Sequence, residues 1–134
     1  MQKRLETAIE KHILQGVKFF CAGGALGFDT LAALVVIELK KKYPHIELIL
    51  VLPFRGHERD RKDTEIKTYN FILENADEVR FTSWQDCTGC MRKRNYQLVD
   101  YSRFCICWLV EDFDETIHTV KYAQDSALRI MNLA

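Results

Sequence analysis

Apolar and polar residues follow two alternating periods along the chain. Where apolar residues recur every three or four positions, the pattern predicts amphipathic helices. These helical segments are residues 3–15, 29–42, 63–76, 90–100 and 116–127. Short β-prone or continuously apolar runs predict strands at 17–21, 46–52, 78–82, 104–110 and 128–133. Strands that alternate with helices predict a Rossmann-like, doubly wound α/β fold: a mainly parallel sheet of about five strands with helices on both faces.

The length of the chain limits this pattern to one domain. With 134 residues, 48% apolar and 28% charged, the chain has the balance of a folded globular protein and not of a disordered one. It contains no internal repeat, low-complexity segment or linker. We therefore expect a single Rossmann-like domain over residues 1–134.

The charge balance and the hydropathy of the chain limit the classes of partner that we expect. Lys plus Arg and Asp plus Glu number 19 each, so the formal net charge is zero. This balance argues against duplex nucleic acid or an anionic membrane as the main partner. No apolar run approaches the roughly 18 residues of a membrane span, and the N-terminus lacks a signal-peptide core. The expected location is the cytoplasm.

The chain has five cysteines, an odd number that favours reduced thiols in a cytoplasm. Cys105 and Cys107 lie in an apolar run and are expected to pack as small hydrophobic side chains. Cys87 and Cys90 have the C-x-x-C spacing of zinc and redox sites, but no second ligand pair accompanies them. We favour two incidental thiols over metal or redox chemistry, and we expect no metal and no cofactor.

Ligands of doubly wound sheets bind beyond the carboxyl ends of the strands. The first loop at that edge contains Gly23, Gly24, Ala25, Gly27 and Asp29 between a strand and a helix. Glycines let backbone N–H groups approach a ligand closely, and a helix N-terminus attracts an anion. The loop matches neither the Walker A nor the G-x-G-x-x-G pattern. Asp29 is either an N-cap of the helix or an acceptor for a ribose hydroxyl.

The loop after the second strand supplies further candidates. Pro53 closes that strand, Phe54 is placed to stack on a base, and Arg55 to bind a phosphate. The alternative is an aromatic lid over the core beside an exposed arginine. The charged run 57–67 that follows alternates in sign and is interpreted as a solvated helix start.

The helix at 90–100 begins with the densest basic cluster, residues 92–94. Asn95 shares a face with apolar residues, so its amide points inward and needs partners. Arg94 and Asn95 are together candidates for binding an anionic group and an amide group of a ligand. The alternative is that Arg94 pairs with Asp100 or Glu78 and holds the helix down.

The acidic run 111–115 follows the fourth strand and precedes the helix that begins at Thr116. It is interpreted as a solvated turn in preference to a divalent-cation site. No Ser/His/Asp arrangement is recognisable, and the catalytic residues, if there are any, stay unknown.

Taken together, these segments resemble the YpsA-like family of the SLOG superfamily, a Rossmann-like group that includes the DNA-processing protein DprA/Smf and the lonely-guy enzymes. The similarity runs through nearly the whole chain in matching order: 4–16, 23–30, 39–44, 53–56, 89–90 with 94–95, 99–100 and 119–123. The resemblance implies a site for a nucleotide-like ligand bearing phosphate or ribose. The ligand-binding set is Gly23, Gly24, Ala25, Gly27, Asp29, Pro53, Phe54, Arg55, Arg94, Asn95 and Thr116.

Two departures from the family pattern affect this site. Family members usually begin with a strand that ends in a Thr-Gly-His-Arg-like loop, before the helix at 3–15. For this chain we expect truncation, a rearranged sheet or completion by another chain. In addition, Asp114 and Glu115 replace the glycines of an anion-binding Gly-Gly-Thr loop, and their carboxylates repel phosphate.

The main hypothesis is binding of a nucleotide or nucleotide-derived small molecule, and regulation is one role considered for that binding. The alternatives are a degenerate module that forms homo-oligomers without a ligand, and single-stranded nucleic-acid binding of the DprA type by residues 92–94. The lonely-guy catalytic motif is absent, so phosphoribohydrolase activity is not transferred. Whether the protein is an enzyme stays open; hydrolysis of a nucleotide N-glycosidic bond is the reaction considered, with Asp29 or Glu115 as the acid.

Overall fold

Helices and strands alternate throughout the part of the chain that the computed structural model describes, residues 1–110 and 116–134. The elements are α1 Gln2–Leu14, β1 Phe19–Ala22, α2 Phe28–Lys42, β2 Glu47–Leu52, α3 Asp63–Asn75, β3 Glu78–Phe81, α4 Cys90–Asp100, β4 Phe104–Cys107, α5 Thr116–Asp125 and β5 Arg129–Asn132. Every predicted helix and strand is present, and the α/β, Rossmann-like fold is confirmed. The strand predicted over 104–110 is shorter than its apolar run, since β4 ends at Cys107.

All strand pairs are parallel. In the first group β2 lies between β1 and β3, with Phe20 opposite Leu48 and Val51 opposite Arg80. In the second group β4 pairs with β5. The prediction of one sheet is therefore wrong in one respect. Within the described residues the strands form a three-stranded and a two-stranded group, because β1 pairs only with β2 and β4 only with β5.

The central strand β2 is apolar on both faces because helices cover both. Leu48, Leu50 and Leu52 pack into the core formed with α1, α2 and α3. Ile49 and Val51 alternate with them and are also buried, facing the opposite side. On that side lie α4, which contacts β2, and α5, which packs against α4.

Helices on both faces join the two strand groups. On the α1 face, the buried His12 ring meets the Phe104 ring edge-on at 5.1 Å between centroids. Arg4 of the same helix donates a hydrogen bond of 3.1 Å to the Leu133 carbonyl beyond β5. On the opposite face, Tyr96 of α4 stacks on Tyr122 of α5 at 4.4 Å. The groups are thus held in one structure by helix packing.

Asp77 anchors the start of the central strand. Its carboxylate accepts a 2.8 Å hydrogen bond from the Leu48 amide and also binds Lys40. Burial alone would raise the pKa of Asp77, but the hydrogen bonds from Lys40 and Leu48 outweigh burial and hold this pKa below its usual range. The ionised carboxylate is therefore the form that stabilises the fold.

We predict that Asp77→Asn lowers the free energy of unfolding at neutral pH by about 1.5–3 kcal/mol, the usual cost of losing hydrogen bonds to a charged group. A lowered folded-state pKa gives stability that is present above the ordinary aspartate pKa and lost as the pH falls through the folded-state value. Urea unfolding across acidic pH should show a shallower acid loss for the variant. The control is Glu38→Gln, which removes an exposed carboxylate paired with Lys41. Equal acid slopes for Asp77→Asn and the wild type would contradict the prediction.

Candidate functional site

Two arginines bind consecutive carbonyl groups at the carboxyl end of β1. Arg94 of α4 donates from Nη1 to the Gly23 carbonyl. Arg61, in the segment before α3, donates from Nη2 to the Gly24 carbonyl at 2.8 Å. The loop after β1 is therefore held by cationic side chains from two other parts of the chain.

The glycines of this loop are required by close packing. A Cβ on Gly23 would lie 2.9 Å from Asp29 Oδ2 and 3.1 Å from Arg94 Nε. Gly24 has a φ of +74°, and a Cβ there would overlap Leu52 Cδ2. The predicted close approach at Gly23 and Gly24 is thus explained first by the neighbouring side chains.

Asp29 lies two positions after the N-cap, in the first turn of α2. The cap position is Gly27, and the helix begins at Phe28, so the N-cap interpretation of Asp29 is wrong. Burial raises the pKa of Asp29, while the positive charge of Arg94 and a hydrogen bond with the Ala25 backbone oppose that rise. The Asp29 carboxyl therefore holds its proton to a higher pH than an exposed aspartate does.

Arg94 is a buried cation, with only 5% of its surface exposed. Besides Gly23, its guanidinium donates from Nε to Asn95 Oδ1 at 2.7 Å, and Nη2 lies 4.0 Å from Met91 Sδ. Burial lowers the pKa of Arg94, and the charge of Asp29 partly compensates. Asn95 thus has a partner, as its inward position required.

The alternative pairing of Arg94 is wrong. Asp100 accepts a hydrogen bond of 2.7 Å from Tyr122, and Glu78 binds Arg80 at 2.7 Å. Burial of Arg94 also divides the basic cluster 92–94, because only its first two members are exposed. The exposed basic surface that could bind single-stranded nucleic acid is therefore smaller than residues 92–94 indicated.

The loop after β2 presents less to the solvent than the sequence indicated. Pro53 and Phe54 are buried, and the Phe54 ring meets the His57 ring edge-on at 6.2 Å. Arg55 is exposed and lies over the Phe81 ring at 4.4 Å. Phe54 therefore forms an aromatic lid over the core, which was the alternative to a ring placed to stack on a base.

His57, Arg61 and Tyr69 form a cluster that sequence reasoning missed. His57 Nε2 lies 3.0 Å from the Tyr69 hydroxyl, and the Arg61 guanidinium lies over the Tyr69 ring at 5.5 Å. Burial raises the pKa of Tyr69 to about 12; burial and the charge of Arg61 lower that of His57. The interpretation of 57–67 as wholly solvated is wrong for His57 and Arg61, which are half-buried. The sequence feature that could have indicated this cluster is the position of His57 in the loop after β2, at the carboxyl ends of the strands.

The cysteine prediction is correct for three thiols and wrong for two. Cys21, Cys105 and Cys107 are free, whereas Cys87 and Cys90 form a disulfide at the start of α4. The C-x-x-C spacing brings the two side chains together because α4 begins at Cys90. The described ranges contain no cluster of three or more His, Cys, Asp or Glu side chains placed to hold a metal.

The structure thus gathers one group of the predicted site residues and leaves others apart. The gathered group is Gly23, Gly24, Ala25, Asp29, Arg94 and Asn95, with Gly27 at the adjoining helix cap. Pro53 and Phe54 lie beneath this edge and Arg55 packs on β3. Thr116 begins α5, and the acidic run 111–115, with Asp114 and Glu115, lies outside the described residues. None of the described helices is long and apolar enough to cross a membrane.

We predict that Gly24→Ala destabilises the protein more than Gly56→Ala does. Both glycines have a positive φ, but only Gly24 has a neighbour that a Cβ would overlap. The strained backbone should cost about 1 kcal/mol at either position, and overpacking against Leu52 should add about 1–3 kcal/mol at Gly24. Urea unfolding of both variants measures the difference. Equal losses would contradict close packing at Gly24.

We predict that Asp29→Asn changes how stability depends on pH. An aspartate whose folded-state pKa is raised contributes stability that is fully present below its ordinary pKa and lost as the pH rises through the raised value. Asparagine mimics the protonated form and removes this loss. Unfolding midpoints of wild type and Asp29→Asn should therefore converge in acid and separate towards neutral pH, with the variant the more stable. Parallel curves would show that Asp29 is not the group responsible.

Comparison with known proteins agrees with this architecture. The family model described as the YspA SLOG family, YpsA, matches residues 1–132. A UPF0398 protein of Halalkalibacterium halodurans is 40% identical over 104 residues, covering 76% of this chain and 55% of the relative. A UPF0398 protein of Staphylococcus epidermidis is 38% identical over 124 residues, covering 90% and 64%. The uncharacterized SPbeta prophage-derived protein YoqJ of Bacillus subtilis is 28% identical over 141 residues, covering 96% and 82%.

The matches with the UPF0398 relatives cover only part of those proteins, whereas the family model covers nearly all of this chain. The chain spans 55% and 64% of the length of the two UPF0398 relatives, so the activity of those whole proteins is not transferred to it. The family model, however, covers both strand groups and every residue of the candidate site at the end of β1. On that match, the chain belongs to the YpsA SLOG family.

Proposed function

We propose that this protein binds a nucleotide or nucleotide-derived small molecule at the carboxyl ends of β1 and β2. The observation that carries the proposal is the buried guanidinium of Arg94 against the Gly23 carbonyl. A buried cation is costly unless charge and hydrogen bonds compensate it. Its position at the ligand-binding edge of a parallel sheet supports a role in binding an anion.

The partners of Arg94 support a phosphate in particular. Nε donates to Asn95 and Nη1 to Gly23, whereas the hydrogen-bond partner of Nη2 within residues 1–110 and 116–134 is the thioether of Met91 at 4.0 Å. Sulfur is a weak acceptor, and the guanidinium fork matches two phosphate oxygens. A phosphate at Nη2 would improve the hydrogen bonding of a group that is already desolvated.

Neighbouring groups suit a ribose. Asp29 lies beside Gly23 and accepts hydrogen bonds when ionised, as a ribose hydroxyl requires. His57 lies close to Gly24, and burial with the charge of Arg61 lowers the pKa of the ring, which favours its neutral form, able to donate and accept. Membership of the SLOG family is compatible with such a ligand.

We predict that one class of nucleotide raises the thermal midpoint. The panel is AMP, ADP, ATP, GTP, NAD, ADP-ribose and ribose 5-phosphate. A ligand at 100 times its dissociation constant stabilises a fold by about 2.7 kcal/mol, or roughly 5–15 °C for a domain of this size. No shift with any compound would overturn the proposal and favour the interaction module without a ligand.

Two substitutions in α4 test whether the rise of the thermal midpoint depends on Arg94. Arg94→Lys keeps the charge but loses the fork, so the shift given by phosphate-bearing compounds should fall strongly. Lys93→Ala removes an exposed cation next to it and should leave the shift unchanged. The unliganded midpoint of each variant is measured separately, so that a loss of stability is not mistaken for a loss of binding. An undiminished shift in Arg94→Lys would exclude Arg94 from the site.

A further inference from the structure

Trp84, in the loop between β3 and α4, is the most exposed of the large apolar side chains described. Its exposed fraction is 98%, whereas tryptophan is normally among the more buried residues. Both faces of the indole are therefore open to solvent. A ring in this state contributes almost no buried apolar area to the fold, and its faces are free to contact a ligand.

The loop that presents Trp84 is attached to the candidate site on both sides. Ser83, the preceding residue, donates its amide hydrogen to the Pro53 carbonyl at 3.0 Å, at the end of β2. The carbonyl of Gln85, the following residue, lies 3.6 Å from Cys90 Sγ, at the first residue of α4. Trp84 thus stands between the end of the central strand and the helix that carries Arg94.

The disulfide closes the rest of this loop. Cys87 is bonded to Cys90, and Cys87 Sγ lies 3.8 Å from the Ser83 hydroxyl. One helical turn after Cys90, Arg94 reaches the Gly23 carbonyl. A loop held at these points restrains the backbone of Trp84, so little backbone freedom is left to lose when the ring contacts a ligand.

We propose that Trp84 stacks on the base of the bound nucleotide, so that the site recognises a planar ring as well as a phosphate. This inference rests on the proposed function and specifies the ligand class: a nucleotide with an intact base. The neighbours Gln85, Asp86 and Thr88 are polar. An isolated ring in polar surroundings beside a cationic site fits a small planar anion better than it fits the apolar centre of a protein interface.

Fluorescence tests contact with the base. The chain has two tryptophans, so Trp108→Phe leaves Trp84 as the sole tryptophan reporter. Titration with AMP and with GMP should quench and shift its emission, excited beyond the tyrosine absorption. Ribose 5-phosphate carries the same phosphate and ribose without a base and should leave the emission unchanged. Equal responses to AMP and ribose 5-phosphate would overturn the proposal.

The ratio of affinities tests the energetic role. Loss of a base–aromatic stack weakens nucleotide binding roughly 5- to 150-fold. Trp84→Ala should therefore lower the preference for AMP over ribose 5-phosphate by that factor while the affinity for ribose 5-phosphate stays within about twofold. Trp84→Phe keeps a ring and should restore most of the preference. A general loss of structure would weaken both compounds together and would not change the ratio.

The outcomes separate this inference from the proposed function. If AMP and ribose 5-phosphate bind, and Trp84→Ala leaves their ratio unchanged, the stacking role fails and the phosphate site stands. If the wild type binds neither AMP, GMP and ribose 5-phosphate nor any other compound of the thermal-shift panel, both proposals are overturned. If dilution of the unliganded protein alone shifts the Trp84 emission, a second copy of the chain covers the ring and the stacking role is wrong.

Discussion

The contact between the Arg94 guanidinium and the Gly23 carbonyl is the constraint on which the rest of the site depends. It joins α4, on one face of the sheet, to the loop that connects β1 with α2, on the other. The contact leaves no room for a side chain at residue 23, and it places a positive charge beside Asp29. Backbone shape and electrostatics at this edge therefore have a common origin.

The electrostatic balance follows from burial. Desolvation raises the pKa of Asp29 and lowers that of Arg94, and each charge reduces the penalty on the other. Arg61 repeats the pattern on the next carbonyl, and burial together with the charge of Arg61 lowers the pKa of His57. Such perturbed groups are typical of functional sites, because their cost to stability is tolerated where binding requires it.

Helix packing joins the two strand groups of the scaffold. Within the described residues, β1 and β4 belong to separate hydrogen-bonded groups. The contact of His12 with Phe104 and the stack of Tyr96 on Tyr122 connect those groups on opposite faces. Hence α4 has two tasks, since it joins the strand groups and also carries Arg94 and the disulfide-bonded Cys90.

The amino-acid sequence by itself determined the order of the elements, because the spacing of apolar residues must match the period of each helix and the two buried faces of a strand such as β2. It also made Gly23, Gly24, Asp29 and Arg94 candidates for a binding site, since glycines and charges cluster where strands end. Only the tertiary structure decided that Arg94 turns inward to Gly23 instead of pairing with Asp100 or Glu78, and that Phe54 is buried while Trp84 is exposed. Those outcomes depend on packing between elements far apart in the chain, and local periodicity carries no information about which distant groups become neighbours.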